Sequence, residues 1–196
     1  LHQSLQSSGV ETVGVHGDVD ADYIEKATFA TYVPALDRLQ DIVSAGIDGG
    51  CDAIHPGCGA LAESPELARA TRDASLLWLG PLPEQIAALA DRWTTREIAV
   101  AAAVPVIPGS APILNLTDLQ EPLARLGLPL WVKDAWGLEA EYFERQDHLV
   151  AAVGRRVHSG QKVWVESHVR GARHVVVTIV GDDSGEVVPL GVRERA

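Results

Sequence analysis

The sequence predicts a mixed α/β fold, and three observations support that prediction. Hydrophobic residues make up 46% of the 196 residues, which is enough to bury a core in one or two domains. Aromatic residues account for only 5% of the chain, which favours closely packed layers of helices and strands. In the first half, short apolar runs alternate with segments of helical periodicity, as is typical of parallel β-α-β winding.

Strands and helices are predicted to alternate in the first half of the chain. The expected strands are residues 10–16, 51–55 and 76–79. A helix is expected at residues 37–45, where apolar side chains recur at helical spacing. A second helix should begin after Ser64, because Pro65 suits the first turn of a helix. In such winding, functional loops lie at the carboxyl ends of the strands.

The second half is predicted to be largely antiparallel. An alanine-rich helical pattern at residues 83–103 is broken near Asp91 and Arg92, and it leads into an extended segment, residues 104–109. The expected helices beyond it are residues 119–126 and 147–156, and the expected strands are residues 130–133, 162–166, 174–180 and 186–190. The last two strands should form a hairpin, in which Pro189 is expected to weaken the end of the second strand.

The charge balance excludes several classes of partner. Sixteen basic and 27 acidic residues give a formal net charge of −11, which disfavours nucleic acid and anionic membrane surfaces. No segment is apolar over the length of a membrane span and the first residues do not resemble a signal peptide, so a cytoplasmic location is expected. Cys51 and Cys58 have the spacing of neither a zinc site nor a redox pair. Zinc-type spacing is also lacking among His148, His158, His168 and His174, so no metal site is predicted.

Four stretches, in order along the chain, carry a resemblance to a known family. Residues 53–63 read AIHPGCGALAE at the end of a predicted strand, and residues 80–93 read GPLPEQIAALADRW, followed by VPVIPGS. The third stretch, LGLPLWVK, ends at Lys133, and the fourth covers residues 163–195, beginning VWVESHVRGARH. Together they resemble the biotin carboxylase family, the ATP-grasp component of acetyl-CoA, propionyl-CoA and pyruvate carboxylases.

The resemblance implies a two-domain organisation. Residues 1–86 would form the biotin carboxylase N-terminal domain, a Rossmann-like domain with a parallel sheet that lacks its first strand here. Residues 87–110 would be a connecting helix and linker. Residues 111–196 would form a partial ATP-grasp domain, made of an antiparallel lid and the first hairpin of the core. Leu1 and Leu5, at helical spacing, are expected to belong to the tail of a longer helix.

The resemblance also implies an ATP site. Lys133 matches a lysine that touches the ATP phosphates, and Arg92 stands where the family has a second such lysine. Glu166 would present its carbonyl to the adenine amino group, Val169 its backbone N–H to the base, and His174 would lie near the ribose. Structural roles remain competing interpretations: a solvated strand end for Lys133, an exposed helical arginine for Arg92 and a strand histidine for His174.

Departures from the family pattern predict weak or lost ATP binding. A run of glycines follows the phosphate lysine in the family, whereas here DAWGLEAEYFERQ follows Lys133 and keeps only Gly137. The acidic residues of this stretch, expected to repel phosphate, are Asp134, Glu139, Glu141 and Glu144. Ser167 and His168 replace a lysine and a tyrosine at the adenine position.

The implied function of the family is ATP-dependent carboxylation of biotin. This chain is expected to be a truncated or degenerate member with at most weak ATP binding, that is, a pseudoenzyme. The family's residues for magnesium, bicarbonate and biotin lie beyond the matched stretches, so no catalytic residue is assigned. Magnesium would arrive with ATP, and biotin only through a partner. Two alternatives stay open: one piece of a split carboxylase completed by another chain, and a non-catalytic interaction module. The implied partners are ATP and either a second copy or other carboxylase subunits.

Overall fold

The computed structural model describes residues 1–18, 24–134, 140–182 and 184–195. The chain forms two compact units, residues 1–102 and 103–196. Each unit has a hydrophobic core of its own. No helix in the described ranges is both long enough and apolar enough to cross a bilayer.

The first unit combines short parallel strands with helices. Its helices are α1 (His2–Ser7), α2 (Leu39–Asp48), α3 (Pro65–Asp73), α4 (Pro83–Ala90) and α5 (Arg92–Ala101). Its strands are β1 (Val13–His16), β2 (Phe29–Tyr32), β3 (Ala53–Ile54) and β4 (Leu77–Trp78). Strands β1 and β2 are parallel, and so are β3 and β4, which confirms the predicted parallel winding. The core lies between these elements and contains Ile42, Val43, Ile54, Leu67, Ala68, Trp78 and Ile86.

Two helix starts in the first unit follow from capping side chains. The backbone N–H of Leu67 donates to Ser64 Oγ at 3.1 Å, directly before the proline that opens α3. The Asp91 carboxylate accepts from the backbone N–H groups of Trp93 and Thr94 at 2.7 and 3.0 Å. Asp91 therefore caps α5, which begins at Arg92. The predicted break in the helical pattern at this point is confirmed.

The second unit is antiparallel, as predicted. Its helices are α6 (Gln120–Leu126) and α7 (Gln146–His158), and its strands are β5 (Leu130–Asp134), β6 (Ala140–Phe143), β7 (Val163–Ser167), β8 (Val175–Gly181) and β9 (Val187–Glu194). Strand β5 lies in the centre of a three-stranded sheet and pairs antiparallel with β6 on one side and β7 on the other. Strands β8 and β9 form a separate antiparallel hairpin.

Helix α7 covers one face of the β6-β5-β7 sheet. Leu149 and Val153, four residues apart on α7, pack in one fully buried cluster with alternate residues of β5 and β7. These strand residues are Leu130, Val132, Val163 and Val165. Because side chains alternate along a strand, the intervening residues of β5 and β7 lie on the opposite face of the sheet.

The structure differs from the sequence-based prediction at three strands. Strands β2 and β6 were not predicted, and β6 occupies part of the segment expected to be an acidic loop; residues 135–139 of that segment lie outside the described residues. Strand β9 continues past Pro189 to Glu194, and Pro189 pairs with Ile179 next to an irregularity in the register. The register shifts between Thr178 and Ile179, so the irregularity at the proline is absorbed inside the hairpin.

Candidate functional site

The candidate site lies on the face of the β6-β5-β7 sheet opposite α7. The register pairs Lys133 with Trp164, and Trp131 with Glu166 on one side and Tyr142 on the other. Two residues along an antiparallel strand span about 7 Å, so these side chains form two neighbouring rows on one face. We name this surface, defined by Trp131, Lys133, Tyr142, Trp164 and Glu166, the site face.

An ion pair joins the two strands across the site face. Lys133 Nζ donates to Glu166 Oε2 at 2.5 Å. The other carboxylate oxygen, Oε1, accepts from the indole N–H of Trp164 at 2.9 Å. The Glu166 side chain is 8% exposed and that of Lys133 is 24% exposed. A carboxylate with so little access to water is tolerated only when it is paired and hydrogen-bonded, and these two contacts supply both conditions.

Three rings form an aromatic group beside the ion pair: Trp131, Tyr142 and His168. Trp131 Nε1 donates to His168 Nδ1 at 3.1 Å, so that histidine nitrogen acts as the acceptor. The Tyr142 and His168 ring centroids are 5.1 Å apart in an edge-to-face arrangement, and those of Trp131 and Tyr142 are 5.3 Å apart. These separations are in the favourable range for aromatic pairs. Loss of hydration, and then the hydrogen bond from Tyr142 Oη to Glu144, raise the pKa of Tyr142.

The chemistry of this arrangement suits a ligand that is anionic at one end and flat at the other. An ammonium group has three N–H donors, and Lys133 uses one of them on Glu166. Within the described ranges Lys133 has no second hydrogen-bond partner, so two donors remain for an anion. The partly exposed rings next to it offer faces on which a planar group can stack.

The other predicted site residues belong to other segments of the chain. Val169 follows β7 and is 47% exposed. His174 is exposed and precedes β8, where its carbonyl accepts from the backbone N–H of Arg195 at 2.8 Å. Arg92 is the exposed first residue of α5 and belongs to the first unit. The structure therefore brings together Lys133 and Glu166 of the predicted set.

The acidic stretch after Lys133 does not all face the site. Glu141 pairs in register with Val132, whose side chain is in the core beneath α7. Accordingly, Glu141 accepts from Arg156 of α7 at 2.9 Å, on the far side of the sheet. Glu141 therefore does not lie beside Lys133 on the site face, as the sequence had suggested, because β6 turns that side chain to the other face. Glu139, the second residue of the expected set, lies outside the described residues.

Sequence reasoning missed the aromatic residues of the site face. A signal was available for two of them, because Trp131 is two residues before Lys133 and Trp164 is two residues before Glu166. Residues two apart on a strand share a face. Tyr142 could not have been placed in this way, since β6 was not predicted. Among the described residues, no three His, Cys, Asp or Glu side chains are grouped so that they could hold a metal ion.

Two protein-family models match the chain. Residues 1–86 match the biotin carboxylase N-terminal domain. Residues 91–196 match the ATP binding domain of the carbamoyl-phosphate synthase L chain. Together the two matches account for nearly the whole chain.

Individual relatives are longer than this chain. The mitochondrial pyruvate carboxylase of Mus musculus is 31% identical over 210 residues, which cover 95% of the chain and 17% of that protein. The alpha3 subunit of a biotin-dependent acyl-coenzyme A carboxylase from Mycobacterium leprae is 34% identical over 163 residues, which cover 78% of the chain and 27% of the subunit. The crystal structure of a Campylobacter jejuni biotin carboxylase superposes with a TM-score of 0.85 at 22% identity and shares the fold, over 98% of this chain and 47% of that one. The chain thus spans less than half of each protein.

Proposed function

Because the chain belongs to the biotin carboxylase family, we propose that its second unit binds ATP on the site face. The observation that carries this proposal is the Lys133 ammonium, which is held 2.5 Å from Glu166 next to the aromatic group. The match of residues 91–196 to an ATP binding domain supports it. A phosphate chain needs cationic donors and a purine needs a flat apolar surface, and the site face offers both.

In the proposed complex, the phosphates lie at Lys133 and the base lies against the aromatic group. Trp131 precedes Lys133 by two residues on β5, about 7 Å, so base and phosphates would follow the direction of the strand. Stacking of a base on aromatic side chains contributes about 1–3 kcal/mol per base. The remaining family-based assignments are part of the same proposal: Arg92 at the phosphates, the Glu166 carbonyl and the Val169 N–H at the adenine, and His174 at the ribose.

We propose that this ATP binding is weak. One N–H donor of Lys133 already binds Glu166. The Glu166 carboxylate is thus hydrogen-bonded to the same ammonium that would bind the phosphates. A phosphate bound at Lys133 would therefore also lie near a carboxylate, and like charges repel each other more strongly where water is excluded. Ser167, at the end of β7, supplies no positive charge where the family has a lysine. A degenerate nucleotide site accounts for these features.

Carboxylation of biotin is proposed for the whole protein, since the chain spans 17% of the mouse pyruvate carboxylase and 27% of the Mycobacterium leprae subunit. Magnesium would enter bound to the ATP phosphates, whose charge it neutralises during phosphoryl transfer. Biotin would come through a partner. A cytoplasmic location, and association with a second copy or with other carboxylase subunits, belong to the same proposal.

Thermal unfolding with and without millimolar Mg-ATP tests the proposal. A ligand that binds only the folded state raises the unfolding midpoint, so ATP should raise it for the parent chain. Lys133→Met should remove the rise. The control is Lys26→Ala, because Lys26 is an exposed lysine of the first unit and its loss should leave the rise intact. Absence of any rise in the folded parent, at ATP concentrations up to 10-fold above those first used, would contradict the proposal.

A second candidate function is an interaction module, and the β8-β9 hairpin favours it. Its exposed apolar residues are Val175, Val176, Val177, Ile179, Val180, Val187, Val188, Leu190 and Val192. An exposed apolar surface of this kind marks a place where other polypeptide binds. Sedimentation over a range of concentrations, with and without Mg-ATP, separates the candidates. Self-association without any response to ATP would favour the module, and co-purification with a second carboxylase chain would favour a split carboxylase.

A further inference from the structure

The position of the Lys133 ammonium depends on the side chain of Glu166. The position of the Glu166 carboxylate depends in turn on a more deeply buried side chain. Lysine has a long, flexible stem, and its ammonium has no preferred direction of its own. Here Glu166 Oε2 fixes that ammonium at 2.5 Å. What fixes the Glu166 carboxylate therefore also decides where the ammonium lies.

Trp164 is a buried group that holds the carboxylate. Its indole N–H donates to Glu166 Oε1 at 2.9 Å, and the residue is 1% exposed. An indole is a rigid donor without acceptor capacity, so a buried Trp164 presents its N–H in one direction only. The solvent-exposed fraction of the side chain increases from Trp164 to Glu166 and from Glu166 to Lys133. The network runs from the interior of the sheet to its surface.

We propose that Trp164 is a positioning residue for Lys133 and that it acts through the side chain of Glu166. This inference rests on the proposed function, since it concerns the group assigned to the ATP phosphates. It adds a role for the Glu166 carboxylate, whereas the family resemblance assigns only the backbone carbonyl of that residue. Trp164 holds the carboxylate, the carboxylate holds the ammonium, and the two remaining N–H donors of Lys133 meet the phosphates.

Trp164→Phe is the variant that removes the indole hydrogen bond to Glu166. Phenylalanine keeps an aromatic ring in the buried position but has no N–H, so Glu166 Oε1 loses the hydrogen bond from the indole and the carboxylate is held less firmly. Because a hydrogen bond to a charged group is stronger than one between neutral groups, its loss should weaken ATP binding about tenfold. The same substitution in a Lys133→Met background should have no further effect on ATP binding, whereas effects that are independent of each other would add.

A second readout follows Lys133 without ATP. The chain has three lysines, Lys26, Lys133 and Lys162, so modification of each by an amine-reactive acylating reagent can be followed by mass spectrometry. In folded Trp164→Phe, labelling of Lys133 should become several-fold faster relative to Lys26 and Lys162. Trp131→Phe is the matched control, because the Trp131 N–H bonds to His168 and its loss should leave the labelling of Lys133 unchanged.

The outcomes separate the two proposals. Faster labelling of Lys133 in Trp164→Phe supports the positioning role, even if the parent shows no response to ATP, in which case the proposed function alone fails. Unchanged labelling together with unchanged ATP affinity overturns the positioning role. If Trp164→Phe does not fold, Glu166→Gln replaces it, since it keeps the size of the side chain and removes its charge. Labelling of Lys133 should then rise, and unchanged labelling would overturn the inference.

Discussion

On the α7 side of the β6-β5-β7 sheet, β5 and β7 present Leu130, Val132, Val163 and Val165, all with no exposed surface. On the site face the same two strands present two indoles and an ion pair, of which Lys133 keeps 24% of its surface. The apolar side gains stability from burial and gives up any polar chemistry. The site face keeps charged groups in partial contact with water, where a ligand can reach them. The comparison shows how alternation along a strand separates stability from binding.

The largest expected effect comes from the apolar side. Leu149 on α7 is fully buried, so Leu149→Ala should lower the free energy of unfolding by about 2–5 kcal/mol through lost transfer energy and a residual cavity. Urea denaturation measures this loss. Leu114→Ala is the control, because Leu114 is 74% exposed in the same unit and its change should stay within about 0.5 kcal/mol. Equal effects of the two substitutions would contradict the expectation that burial of Leu149 against the sheet stabilises this unit.

A smaller effect is expected from the ion pair on the site face. Lys133→Met leaves the Glu166 carboxylate without its cation and should lower the free energy of unfolding by about 1–3 kcal/mol. Adding Glu166→Met should recover most of that loss, since apolar side chains of similar volume can replace a buried ion pair. ATP binding should not recover in the double variant. A double variant less stable than Lys133→Met, by the same urea denaturation, would mean that the carboxylate stabilises the fold without its partner.

The smallest effect lies at the surface, in the first turn of the helix that covers the apolar side. Arg145 donates to both carboxylate oxygens of Asp147, at 3.1 and 2.7 Å, and this contact lowers the pKa of Asp147 from 3.8 to about 2. A carboxyl whose pKa is lower in the folded state stabilises the fold above its unfolded pKa, and the contribution disappears as the pH falls toward about 2. Asp147→Asn should therefore lower the thermal midpoint slightly at pH 7.

Thermal unfolding between pH 7 and pH 2 checks the direction of this dependence. The midpoints of the parent and Asp147→Asn should converge as the pH falls below about 4. A difference that stays constant down to pH 2 would show that the Arg145 contact is not its source. The ATP-dependent rise in midpoint should be the same in both proteins, because Asp147 lies in α7 and not on the site face.

Much of the fold could be predicted from the sequence, wherever a local signal was strong. Ser64 caps the start of helix α3, and Pro65 is its first residue. Asp91 caps the start of helix α5, where the helical pattern breaks. Strands β2 and β6 carry no such signal, because most of their residues are exposed and show no apolar alternation. They are strands because β1 and β5 offer them hydrogen-bonding edges, which is a tertiary effect.

The candidate site was predictable only in part, for a related reason. Lys133 was identified by its place in a motif, and that needs no knowledge of distant contacts. Its contact with the Glu166 side chain joins residues 33 positions apart and depends on how β5 aligns with β7. That alignment is set by the buried cluster beneath α7, which no local pattern at Lys133 encodes.

The pairing of Trp131 with Glu166 and of Lys133 with Trp164 has a consequence for how the site comes into being. Sliding β7 by one residue against β5 would turn Glu166 toward α7 and would bring valines to the outer surface. A chain with this misaligned register would thus lose both its buried apolar cluster and the ion pair between Lys133 and Glu166. Correct assembly of the interior is therefore also the step that creates the site face.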